Sequence, residues 1–164
     1  NGQIAGVRNG VQRLQRKELV AFQALVSASR VANSVISSTR RSFPANHLEK
    51  FVTDLTVLGC KLAYDLRDEG FPRSALRILT HSLSAIQRVN VSDTSHKDTA
   101  VVHLYNDICN LLRNFGRTDG AKAFCSAAID LAYENLPFIS NASLSKFHFN
   151  LGKVLSDEGD WQNA

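Results

Sequence analysis

Apolar residues recur every three or four positions along the chain, in blocks separated by short Gly-, Pro- or polar-rich breaks. The first block carries Ile4, Val7, Val11, Leu14, Phe22, Leu25, Ala32 and Ile36, with neither Gly nor Pro from Val11 to Ser42. That spacing predicts one long helix over residues 3–42. Phe43-Pro44 stops it, because the residue before a proline avoids the helical region. A second helix is expected from Asn46 to about Glu69, broken at Gly70-Phe71, and Pro72 opens an antiparallel mate that ends near Val89. Polar residues 90–96 read as a linker. A second pair then spans about 97–135, with its turn at Gly116–Asp119, and Pro137 ends it. Asn141 or Ser143 caps a last helix to about Glu158, the start of a partial pair over 141–164. No stretch alternates with period two, so no strands are predicted and the fold class is all-α.

The breaks after the first helices share a signature. They read Leu66-x3-Gly70-x4-Ala75, Leu112-x3-Gly116-x4-Ala121 and Leu155-x3-Gly159-x4-Ala164. Ahead of them stand Leu62-Ala63, Ile108-Cys109 and Leu151-Gly152, a large apolar residue followed by a small one. A small residue there lets two helices cross closely. Over residues 46–164 this order resembles the tetratricopeptide repeat, whose pattern runs W-x2-L-G-x2-Y and later A-x3-F and P. The glycines stand 46 and 43 residues apart, against about 34 in the standard repeat. The resemblance is therefore to a long-helix variant, of the kind found in kinesin light chains and in separase-like and meiotic scaffold proteins. It implies an α-α superhelix, a right-handed solenoid of antiparallel helix pairs, with the 3–42 helix packed at one end.

Such a solenoid lines a concave groove with its first helices. Carried over position by position, the groove falls on Tyr64 and Arg67, then His103, Asn106, Asn110, Arg113 and Asn114, then Lys146, Phe149 and Lys153. That set is polar and mildly basic. Asn106, Asn110 and Asn114 stand one helical turn apart and offer paired donors and acceptors to an extended backbone. The cations favour acidic groups. If the stack stops at Ala164, the last helix is expected to expose Phe147, Leu151, Val154 and Leu155, a face suited to self-association.

Composition adds bounds. The chain has 164 residues, 44% of them hydrophobic, and a net charge of +4. No apolar run reaches the roughly 20 residues that cross a bilayer. The chain has no methionine and opens on Asn1-Gly2, and the third echo stops at its own alanine. The expectation is a piece of a larger protein. Cys60, Cys109 and Cys125 all fall in helical patterns and read as unlinked buried thiols in a reducing compartment, which points to the cytoplasm or nucleus. Residues 1–50 carry eight Lys/Arg against two Asp/Glu, and the remainder eleven against thirteen. Arg8, Arg13, Arg16, Lys17, Arg40 and Arg41 thus form a candidate basic surface. Only Phe22 precedes Phe43 among aromatic residues of that part, so base stacking has little support and nucleic acid is the weakest partner class.

No catalytic residue, metal ligand or cofactor is predicted. The five histidines stand outside recognised metal spacings, and neither a phosphate loop nor a nucleophile elbow occurs. Asp65, Asp68 and Glu69, and likewise Asp157, Glu158 and Asp160, read as solvated turn charge. The leading expectation is a non-catalytic scaffold or adaptor that holds a protein partner, as a peptide or helical segment with acidic groups. The alternative is a regulatory arm of a large enzyme such as a separase-like protease, with catalysis elsewhere. A nucleic-acid-binding helical repeat comes third.

Overall fold

The computed structural model describes residues 45–89 and 94–159, together with Arg16, Val20, Gln23 and Ser27. The predicted 3–42 helix lies outside the described residues except for those four, which are helical and exposed. The rest is all-α: α1 (Ala45–Asp68), α2 (Pro72–Gln87), α3 (Ser95–Asn114), α4 (Thr118–Glu134), a 3-10 turn (Leu136–Phe138) and α5 (Asn141–Glu158). No strand occurs among the described residues.

The repeated Leu-x3-Gly is a helix-ending device. Gly70 and Gly116 adopt φ of +88° and +67°, a backbone that L side chains resist. The amide of Phe71 then donates to the carbonyl of Leu66 at 2.8 Å and that of Gly70 to Arg67 at 3.0 Å. At the next turn Arg117 donates to Leu112 at 3.0 Å and Gly116 to Arg113 at 2.9 Å. Both are Schellman caps, in which the leucine supplies the last buried carbonyl and the glycine the left-handed step. Gly159 repeats the conformation at φ +79°. In the first two echoes the alanine is fully buried at the start of the following helix, as Ala75 and Ala121; Ala164 lies outside the described residues. The cap of α5 sits one residue earlier than expected, where Ser140 accepts from the Ser143 amide at 3.1 Å.

Consecutive helices pack as antiparallel pairs. Cys109 on α3 meets Cys125 on α4, and Tyr105 meets Phe124 edge-on at 5.4 Å between centroids; both pairs bracket the Gly116 turn. In α1–α2 the same role falls to Gly59. A Cβ there would stand 2.9 Å from Ser82 Cβ on α2, so only glycine admits the crossing. This explains why Gly59 stands three residues before Leu62, where Tyr105 and His148 precede Ile108 and Leu151. Lys97 closes the C-terminal end of α2 by donating to the carbonyls of Gln87 and Val89, both at 2.9 Å.

First helices pack on first helices. His103 contacts Phe147 at 5.8 Å between rings, Asn150 donates to Asn106 at 2.7 Å, and Arg113 bonds Asp157 at 2.6 Å. All three contacts join residues 44 apart, so α3 and α5 run parallel in fixed register. On the other side α1 lies against α3, with Glu49 near His96 at 3.6 Å and Cys60 bonded to Asp107. α3 thus lies between α1 and α5, with contacts joining residues 47 apart on one side and 44 apart on the other.

Three expectations are corrected. Phe147, Val154 and Leu155 are buried and Leu151 is partly buried. The apolar stripe of α5 is used up against α3 and α4, and self-association through it loses its basis. Cys109 and Cys125 are buried as expected but are not separate thiols: they form a disulfide with Cα atoms 5.6 Å apart. The Asp157 and Glu158 carboxylates are not free turn charge, because they pair with Arg113 on α3 and Lys122 on α4.

Candidate functional site

The long side of α1 and the facing side of α3 leave an open groove of about 590 Å³, which Lys146 of α5 also lines. From one end to the other the lining changes character. Thr53, Thr56, Val57, Thr99 and Ala100 make an end of methyl and hydroxyl groups, which the imidazole of His96 also lines. Cys60, Tyr64, Asp65, His103 and Asp107 make a polar end. Lys61 and Lys146 are exposed at the mouth.

Asp107 organises the polar end. It is only 8% exposed. The Cys60 thiol and the Tyr64 hydroxyl both donate to it, and Asn106 Nδ2 adds a contact at 3.3 Å. Burial pushes the Cys60 thiol up to about 12, with the Asp107 charge and hydrogen bond reinforcing it and Lys146 pulling the other way. Burial and Asp107 likewise raise the Tyr64 hydroxyl, against the nearby Arg67. Burial lowers His103, which Asp107 partly offsets and Lys146 reinforces. Each of these groups is thereby held neutral near pH 7. The Cys60 thiol at this value is a weak nucleophile and serves as a hydrogen-bond donor.

The residues expected to form one groove divide. Tyr64, His103 and Lys146 line it together. Arg67 sits at its edge, 4.9 Å from the Tyr64 ring centroid, and bonds its neighbour Asp68. Asn106 is turned into the α3–α5 joint and is 2% exposed. Asn110 is half-buried and Asn114 is exposed at the end of α3. Arg113, Phe149 and Lys153 line a separate cavity of about 510 Å³ beside α5, where Lys153 lies 4.1 Å over the Phe149 ring. Of the basic surface only Arg16 is among the described residues, and it is exposed; Arg8, Arg13, Lys17, Arg40 and Arg41 lie outside them.

The sequence reading missed Asp107, Thr56 and His96. A signal existed for Asp107, which lies four residues after His103 and so on the same helix face. Among the described residues no group of three or more His, Cys, Asp or Glu could hold a metal ion, and no helix is long and apolar enough to cross a membrane.

No protein-family model matches the chain, and no curated protein matches it. Among solved structures, the crystal structure of BtubC (BKLC) from P. vanneervenii is similar, with a TM-score of 0.59 at 20% identity. The match covers 92% of this chain and 52% of that one, so the chain spans about half the length of the similar protein. At this identity the likeness shows a helical fold alone.

Proposed function

We propose that this chain is a non-catalytic scaffold segment, two and a half units of a tetratricopeptide-like right-handed superhelix that holds a protein partner in the α1–α3 groove. The observation that carries the reading is the groove itself: about 590 Å³, open along its length, and lined from three successive first helices. Its two ends suit an extended segment, with methyl groups for apolar side chains and fixed donors and acceptors for polar ones. The similar offsets of 47 residues between α1 and α3 and 44 between α3 and α5 support the superhelix, because a first-helix joint recurs along the sequence.

The test uses binders selected from a random dodecapeptide library, with their footprint read by amide hydrogen exchange. Protection is expected at residues 53–65 and 96–107, and Thr53→Trp, which fills the groove from an exposed position, should weaken binding at least tenfold. Binders that protect α2 and α4 instead, with Thr53→Trp neutral, would refute the groove. Arg113→Ala is a poor probe, since it also breaks the tie to Asp157.

A further inference from the structure

The groove floor holds a buried carboxylate whose bonded neighbours are all uncharged. Cys60, Tyr64 and Asn106 donate to Asp107. Among the described residues no Lys, Arg or His pairs with it within ion-pair distance. A carboxylate has about four acceptor positions, and these neighbours leave it room for a further donor. Burying a charge without a counter-charge is costly, and a cation bound beside it relieves that cost. The joint between α3 and α5 carries no such charge, because its matching position is Asn150, bonded to Asn106.

The surroundings suit a flat cation. Asp65 lines the same end, and the Arg67 guanidinium over the Tyr64 ring at 4.9 Å is an example of the cation–ring contact this end can make. Lys61 and Lys146 stand at the mouth with exposed ammonium groups. The site is therefore negative at its floor and positive at its rim.

Resting on the groove reading above, we propose that the partner segment seats one arginine side chain against Asp107, between acidic residues that meet Lys61 and Lys146. The basic side chain reaches down past His103 and bonds a free acceptor position of the carboxylate. The flanking acids remain near solvent at the rim, where the long lysine stems carry their charges.

The probe is the peptide acetyl-Ala-Glu-Ala-Arg-Ala-Glu-Ala-amide, compared with the same peptide carrying citrulline, the neutral isostere of arginine. Both are titrated into the 164-residue chain and followed by amide chemical shifts. The arginine peptide should shift residues 56–65 and 99–107 and bind at least tenfold more tightly than the citrulline peptide. Asp107→Asn should erase that difference, and Lys146→Ala should keep it. Equal binding of the two peptides in the groove of the unmodified chain overturns the proposal while leaving the groove reading intact. So does a preference for arginine that persists in Asp107→Asn. Shifts absent from the groove for both peptides would remove both readings. The arginine–citrulline comparison on the unmodified chain decides the matter even if Asp107→Asn fails to fold.

Discussion

Between α3 and α5, one set of repeat positions holds Asn106 with Asn150 and Arg113 with Asp157, and both pairs are hydrogen-bonded. Between α1 and α3, the same positions of the repeat hold Cys60 with Asp107 and Arg67 with Asn114. The first of these is a thiol bonded to a carboxylate. The second offers Arg67 no acid, and Arg67 pairs with Asp68 on its own helix. The two joints set matching helix positions against each other, yet one is zipped by complementary side chains and the other leaves a groove with a buried carboxylate. A few side chains at matching positions thus decide whether two parallel helices close on each other or leave a groove between them.

The comparison is sharpened first by damage to the closed joint. Phe147 is 1% exposed and packs on both His103 and the α4 core. Phe147→Ala should cost about 3–5 kcal/mol, read by urea denaturation, and a loss below about 1 kcal/mol would show that α5 is not clamped to α3. Asn150→Ala should cost about 1–3 kcal/mol, because it leaves the buried Asn106 oxygen unmet. The open joint should respond weakly and in the opposite sense. Asn114→Asp places an acid in the slot facing Arg67 and should add no more than about 1 kcal/mol, since the pair is solvent-exposed.

The smallest effect is on pH. Burial holds His103 below the ordinary histidine value of 6.5, so in acid the unfolded chain takes up a proton that the folded one resists. Stability is then full above about pH 6.5 and declines as pH falls through it. His103→Gln should flatten that part of a thermal-melting profile against pH, and an unchanged profile would place the histidine in solvent.

The helices and turns were legible because their signals are local. Periodicity placed α1 to α5 within two or three residues, and Leu-x3-Gly marked caps whose hydrogen bonds close within six residues. The site was only half legible. Tyr64, His103 and Lys146 follow from the repeat register, but which slots close depends on pairs of residues 44 apart. Asn106 looked like a groove residue because its helix position is right, and it is buried because Asn150 faces it. The apolar face of α5 was misjudged for a related reason. Its stripe is real, but sequence alone does not tell whether the preceding or the following helix covers it. The disulfide is the same kind of long-range fact: Cys109 and Cys125 each read as an ordinary small core residue until the α3–α4 crossing brings them together. Closing that loop of 16 residues is worth about 3 kcal/mol by loop-entropy arithmetic.

The most direct test is the reactivity of Cys60, whose state depends on α1 and α3 lying in the register that sets it beside Asp107. With Cys109 and Cys125 bonded, it is the one free thiol. Alkylation by iodoacetamide at pH 8.5 should run at least about tenfold slower than for an ordinary exposed cysteine, because little thiolate is present. It should accelerate in Asp107→Asn yet stay slow, since burial remains the larger restraint. A rate like that of free cysteine, unchanged by Asp107→Asn, would contradict the groove as described.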